Sequence, residues 1–365
     1  MQSLRNTDVI VSGLHLRWDG VRQRPNHVLS RLAGRAPVIV LEEPKACDDG
    51  IADDEHVVTD YEVSVVTPRR ANASDAIDGR AIDTIRAFVG GRRPLVWMYT
   101  PMMAALADAF PQAPVVFDKM DELAAFAHAD PRMAERESYL LARADVTFAG
   151  GRSLYETVRH RTGSARCYPS GVDAPHFAAA KTIAAHPAVR ALTSKPVLGY
   201  VGVVDERLDL ELIAHVADAQ PLSTVLMIGP VVKIPEQSLP RRPNIVYYGN
   251  ASYDDLPALL AGIDVALMPF ALNRHTQNIS PTKTLEYLAA GKPVVSTAVA
   301  DVVRDYGDVV AIATDRDAFV RAIVAARKPD PERDARTRQK VDGQSWDAIV
   351  KAMCDDLGAR GIVVG

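Results

Sequence analysis

Residues Asn278–Ser296 read NISPTKTLEYLAAGKPVVS. The stretch divides into a loop, a helix entered at Ser280–Pro281, a stop at Gly291 and a β-branched strand. Proline suits the first helical turn, where its missing N–H is not needed. Glycine suits the position just past the last turn. The apolar run after Gly291 is continuous rather than alternating, which predicts a strand covered on both faces. A helix followed at once by a buried strand is half of a βαβ unit, so the surrounding sheet is expected to be parallel.

The same alternation extends outward in both directions. Strands are expected at Val9–Leu14, Pro37–Leu41, Val63–Thr67, Leu95–Tyr99, Val115–Phe117, Val146–Ala149 and Arg166–Tyr168. Helical patterns fall between several of them, at Pro25–Leu32, Ile77–Val89, Arg132–Arg143 and Ser153–Arg161. The alternation pauses over 175–196, which holds Pro175, Pro187 and Pro196. It restarts with strands at Val197–Val201, Thr224–Ile228, Asn244–Tyr248, Val265–Pro269, Val294–Thr297 and Val309–Ile312. A charged segment, Pro329–Lys340, leads into a final helix at Ser345–Leu357. The expected fold class is α/β, with two doubly wound domains: 1–174, a linker at 175–196, and 197–342, followed by a C-terminal helix within 343–365. Ligands of such sheets sit outside the carboxyl ends of the strands.

Composition narrows the chemistry. The chain has 365 residues, with Lys+Arg 42 against Asp+Glu 46 and a net charge of −4. That balance argues against a general nucleic-acid binder, which needs a cationic surplus. The cysteines, Cys47, Cys167 and Cys354, are far apart and odd in number, so neither a disulfide framework nor a cysteine zinc site is expected. No His/Asp/Glu cluster has metal-ligand spacing. The first residues lack a secretory h-region, and no apolar run approaches the roughly 20 residues of a bilayer span, so a cytoplasmic location is expected.

A helix N-terminus presents free N–H groups that favour an anion. Lys283 in the first turn has the wrong sign for the helix dipole unless an anionic ligand sits there. Glu286, one turn on, could accept hydrogen bonds from ribose or sugar hydroxyls. The plainer alternative is a surface Lys283–Glu286 pair.

This segment resembles the donor-binding stretch of GT-B glycosyltransferases, P-x-K-x-x-E-Y-L-A-A-G-K-P-V-V, in the form found in teichuronic-acid-biosynthesis-type enzymes of the glycosyltransferase family 4-like superfamily. Three further segments agree: PSGVDAPHF (Pro169–Phe177), VLGYVGVVDERLDLELI (Val197–Ile213) and YYGNASYDDLPALLAGIDVALMPF (Tyr247–Phe270). WDGVRQRPNHVLSRLA (Trp18–Ala33) matches less specifically. The resemblance implies the GT-B fold, two Rossmann-like domains facing across a cleft, with the last helix crossing back to the first domain. It implies a metal-independent glycosyltransferase without a cofactor, acting in bacterial surface polysaccharide or glycolipid assembly. The donor would be a nucleotide-diphosphate sugar, a UDP-sugar foremost. The acceptor would be a saccharide or lipid-linked saccharide. A sugar-nucleotide epimerase and a non-catalytic sugar-nucleotide-binding protein are the alternatives.

Two departures bear on the site. The family's two glutamates stand eight positions apart, yet counting back from Glu286 reaches Asn278. The donor loop's basic pair is replaced around Glu206, Arg207, Leu208 and Asp209. Phosphate charge would then fall to Lys283, the backbone N–H groups of Ile279 and Ser280, Arg274 and Arg207. Gly202 would let the diphosphate approach the chain, and the Tyr248–Gly249 edge would meet the base. On the acceptor side, Asp118 and Asp121 could each take the acceptor hydroxyl proton, or Asp121 could cap a helix. His15, Arg22 and Arg24 flank the loop after the first strand and could bind an anionic acceptor. Arg69, Arg70, Arg80, Arg86, Arg92 and Arg93 could touch anionic lipid at the inner face of the membrane, or form a solvated face.

Overall fold

The computed structural model describes residues 4–47, 52–71, 77–126 and 129–365. They divide into two compact units, Met1–Pro169 with Trp346–Gly365, and Ser170–Ser345.

The strands of the first unit are β1 (Arg5–Thr7), β2 (Val9–Leu14), β3 (Val38–Glu42), β4 (Lys45–Ala46), β5 (Asp53–Val58), β6 (Val63–Arg70), β7 (Pro94–Met98), β8 (Val115–Lys119), β9 (Val146–Ala149) and β10 (Ala165–Cys167). Their order in the main sheet is β10-β9-β8-β7-β2-β3-β6-β4. All pairings along this path are parallel, and β5 pairs antiparallel with β6. The central strands are buried along nearly their whole length, as continuous apolar runs require. β5 (DDEHVV) has exposed and half-buried residues only, and its lack of a continuous apolar run hid it from pattern reading.

The final helix, Trp346–Ala359, packs on this unit. Trp346, Val350, Met353 and Leu357 join Val28, Leu29 and Leu32 in one cluster. The rings of His27 and Trp346 stack at 4.9 Å. The strand Ile362–Val364 then pairs with β1.

The second unit contains β11 (Val197–Val201), β12 (Thr224–Ile228), β13 (Ile245–Gly249), β14 (Val265–Met268), β15 (Val294–Thr297) and β16 (Ala311–Ala313). All pair in parallel, in the order β13-β12-β11-β14-β15-β16. This order reverses direction between β11 and β14, which is where doubly wound sheets open a crevice for ligands. Residues 175–196 are no open tether: Phe177, Ala180 and Val189 enter the core of this unit. The charged 329–340 stretch is part of a helix, Pro331–Asp342, capped by the Asp330 side chain on the Arg333 N–H. Its 3.6-residue period is masked because only Val341 of its residues is buried.

Both halves are therefore α/β with doubly wound parallel sheets. Among the described residues, no helix is long and apolar enough to cross a membrane.

Candidate functional site

The crevice of the second unit has a floor of backbone. Gly202 and Gly229 directly follow β11 and β12, and Gly249 ends β13, with φ of +146°, +138° and +85°. Side chains other than glycine rarely adopt these values. The Gly202 N–H donates to the Ile228 carbonyl at 2.8 Å, and the Gly229 N–H to the Gly249 carbonyl at 2.7 Å. A Cβ on Gly229 would lie 2.0 Å from the Gly202 oxygen. Three strand ends are thus laced together without side chains in the way. Gly199, by contrast, serves packing, since a Cβ there would stand 2.2 Å from Ile263 Cδ1.

The Lys283–Ala289 helix sits at the end of this floor. It starts later than the sequence suggests, because Pro281 and Thr282 form only a lead-in turn whose carbonyls accept from Thr284 and Leu285. Tyr287 fixes it to β11: its Oη accepts from the Val201 N–H at 2.7 Å and lies 3.2 Å from the Val201 carbonyl, to which it donates. Thr284 Oγ1 lies against Met268 Sδ at the end of β14. The helix ends at Gly291, φ +71°, where Gly291 and Lys292 N–H groups return to the Leu288 and Tyr287 carbonyls. That is the Schellman closure expected of a glycine stop. This anchoring places Lys283 over Gly202, with its Cε in the space a Cβ on that residue would need.

Glu286 is half-buried one turn further on. Burial pushes its carboxyl above the usual range, opposed by Lys283 and reinforced by Asp173. Asp173 itself accepts from Tyr253 Oη at 3.1 Å.

Two loops at the ends of β11 and β14 are tied to each other. Leu208 bridges Phe270, and the Ala271 N–H donates to the Arg207 carbonyl at 2.9 Å. Arg207 does not present an open guanidinium. Its Nε and Nη2 hold Asp205 in a bidentate pair, with Nη2 at 2.6 Å, so the guanidinium expected to meet phosphate is engaged within its own loop. Asp205 is buried, and a bidentate arginine is what such a carboxylate requires. Thr276, 1% exposed, knots the second loop by bonding Ala271 and Asn273 carbonyls. The Ile279 N–H already donates to the Thr276 carbonyl, which removes it as a phosphate donor. Arg274 is exposed, and Asn278 and Ser280 are half-buried on the way into the helix. Tyr248 is half-buried at the end of β13, edge-on to His186 with ring centres 5.8 Å apart.

The first unit corrects two expectations. Asp118 is fully buried, and Arg24 is 2% exposed; Arg24 Nε donates to Asp118 Oδ1 at 2.9 Å. Arg24 also donates to the Tyr168 carbonyl at 2.8 Å. Both residues therefore form an internal ion pair rather than a base and an acceptor contact. Burial pushes the Asp118 carboxyl up, while Arg24 pulls it down. Asp121 is half-buried in the loop after β8, and Glu122, not Asp121, occupies the N-cap position of the next short helix. His15 and Arg22 are half-buried after β2, and Arg22 lies over the Tyr61 ring at 4.6 Å. The arginines read as a lipid-facing set are largely paired within the unit. Arg69, Arg70, Arg86 and Arg93 meet Asp53, Asp54, Asp83 and Asp8. Among the described residues, no group of His, Cys, Asp and Glu could hold a metal ion.

Sequence reading passed over Gly229, Tyr287, Asp205 and Thr276. A signal existed for Gly229 alone, in the Gly–Pro step that closes the apolar run of β12.

Known proteins match this arrangement. Residues 195–328 match the family model described as Glycosyl transferases group 1. The match covers β11 to β16 and the Lys283–Ala289 helix, in the unit that holds the Gly202 floor. The teichuronic acid biosynthesis glycosyltransferase named TuaH, from Bacillus subtilis (strain 168), is 36% identical over 104 residues. The alignment covers 28% of this chain and 26% of that relative, so the chain spans about a quarter of its length. Among solved structures, a sucrose-phosphate synthase from Thermosynechococcus elongatus superposes with a TM-score of 0.74 at 15% identity, covering 97% of this chain and 98% of the other. HepE of Anabaena, solved in complex with UDP-glucose, superposes with a TM-score of 0.70 at 12% identity, covering 96% and 99%. These likenesses show the GT-B fold over nearly the whole chain.

Proposed function

We propose that this chain is a glycosyltransferase that moves a sugar from a nucleotide-diphosphate sugar, foremost a UDP-sugar, to a hydroxyl of a saccharide or lipid-linked saccharide. The observation that carries this reading is the placement of Lys283 over the Cβ-free Gly202 floor, inside the segment that matches the group 1 glycosyltransferase model. A diphosphate laid along the glycine strand ends would lie against backbone, with the Lys283 ammonium, which itself fills the space over Gly202, beside it. Attack of the acceptor oxygen on the anomeric carbon breaks the bond to the diphosphate, which departs with the electron pair. The charge that develops on its bridging oxygen would be stabilised by Lys283 and by the entry to its helix. Glu286 would accept from ribose or sugar hydroxyls, and the Tyr248–Gly249 edge would border the base. The acceptor proton needs a base. With Asp118 occupied by Arg24, the half-buried Asp121 is the acceptor-side carboxylate this reading retains. The name of the Bacillus relative supports a role in surface polysaccharide or glycolipid assembly, where a lipid-linked acceptor would bring the protein to the inner face of the membrane. Thermal-shift titration with UDP-, GDP-, ADP- and dTDP-sugars tests the reading, since a ligand of the folded state raises Tm. A shift with one base and none with the others is expected; no shift with any would overturn it.

A further inference from the structure

A cavity of roughly 540 Å³ opens in the second unit at the far end of the Lys283–Ala289 helix, beside Gly291 rather than Lys283. The helix Ala174–Ala178, the Gly291 turn and the helix Pro331–Asp342 enclose it. Its size falls within the roughly 300–1,000 Å³ of small-molecule sites. Ala178, Leu288, Pro293, Val309 and Val341 give it apolar walls. Its charged lining is Lys181, Lys292, Arg333 and Arg338 against Asp334 and Asp342, a surplus of two positive charges (4 − 2).

The cations are not equivalent. Lys292 Nζ donates to the Ala261 carbonyl at 3.2 Å, and Arg333 lies 3.6 Å from Asp334. The side chains of Lys181 and Arg338 have neither a hydrogen bond nor an ion pair to another described residue. The Lys181 stem passes over Gly291, where a Cβ would stand 2.9 Å from its Cε. The left-handed glycine that closes the helix therefore also clears the path of this lysine. Two exposed cations at the mouth of an apolar-walled cavity favour an anion that carries an apolar body.

The geometry points to a second ligand site in this unit, separate from the Gly202 floor, that binds a phosphate ester with an apolar substituent through Lys181 and Arg338. The ester could be a soluble metabolite or the headgroup of a membrane lipid, since both offer the same phosphate next to hydrocarbon.

Calorimetric titration of the full chain with hexyl phosphate, inorganic phosphate and 1-hexanol tests this. Hexyl phosphate should bind at least ten-fold more tightly than either fragment. The double variant Lys181→Glu/Arg338→Glu should lose at least ten-fold in that affinity. Ala178→Leu, which fills the cavity but keeps both cations, should lose a comparable factor. UDP binding should be unchanged in each variant, so this outcome is read independently of the donor assignment. Absence of hexyl phosphate binding, equal binding of inorganic phosphate, or unaltered affinity in both variants would overturn the site. Cosedimentation with phosphatidylglycerol and phosphatidylcholine vesicles separates the sources. Loss of phosphatidylglycerol binding in the charge-reversed variant identifies the lipid headgroup. Variant-sensitive hexyl phosphate binding without it identifies a soluble ester.

Discussion

Lys283 lies across Gly202: a Cβ at 202 would stand 1.8 Å from Lys283 Cε and 2.6 Å from its Nζ. Gly202 is thus required twice, for its φ of +146° and for the space the lysine occupies. Gly202→Ala should cost about 1–3 kcal/mol of stability through backbone strain and displace the ammonium from the floor. Denaturant unfolding with and without UDP measures both effects. We expect UDP affinity to fall at least ten-fold; wild-type affinity would show that the floor does not carry the phosphates.

Removing the charge alone gives a cleaner test. Lys283→Ala leaves the Tyr287–Val201 bonds and the Gly291 closure of the helix in place, so Tm without ligand should move little. Loss of a charge-assisted contact of about 1.5–3 kcal/mol would weaken UDP-sugar binding or turnover by roughly ten- to a hundred-fold. Turnover near the wild-type value with the true substrates would remove Lys283 from the reaction.

Tyr287→Phe deletes one oxygen that serves both the N–H and the carbonyl of Val201. A buried N–H left unsatisfied costs about 1–3 kcal/mol. Because this bond sets where the helix meets β11, donor affinity should fall along with stability. A loss of stability with no change in UDP affinity would show that Tyr287 does not position the helix.

The Arg24–Asp118 pair separates structure from chemistry in the first unit. Breaking a buried ion pair by removing one partner costs about 3–5 kcal/mol, whereas replacing both by apolar groups is often near neutral. Asp118→Leu should unfold at markedly lower denaturant, and Arg24→Met/Asp118→Leu should recover much of the loss. If Asp118 were instead the catalytic base, the double variant would be stable yet inactive.

Acid stability offers a further check. Asp8 is lowered to about 2 by hydrogen bonds from Arg93, and Asp130 to about 2 by Arg132. In the unfolded chain both return to their ordinary value of 3.8. Between about pH 4 and 2 the unfolded chain binds more protons, so their contribution is complete above that window and is lost as pH falls through it. Asp8→Asn should flatten the decline of stability on the acid side. An unchanged slope would mean that the Arg93 pair is not formed in solution.

The sequence by itself determined the alternation of elements, and with it the class of fold, because each central strand needs an unbroken apolar run to be covered on both faces. It also marked the ends of the Lys283 helix to within a few residues, since Pro281 and Gly291 act through their own backbone restrictions. Local rules of that kind are written residue by residue. They do not extend to β5, whose DDEHVV holds no such run, or to the helix at Pro331–Asp342, which buries only Val341.

Only the tertiary structure decided which charges were available. Asp118, Arg24 and Arg207 read as chemistry in the sequence, but Arg24 and Asp118 are brought together by packing and occupy each other, while Arg207 folds back on Asp205 two residues away within its own loop. The Arg24–Asp118 pair spans 94 residues of chain. Tyr287 finds Val201 across 86 residues, and no spacing announces that bond. A side chain's polarity is a property of its residue type. Whether that polarity faces a ligand or another part of the same chain depends on contacts between distant segments, and those exist only once the sheets are assembled.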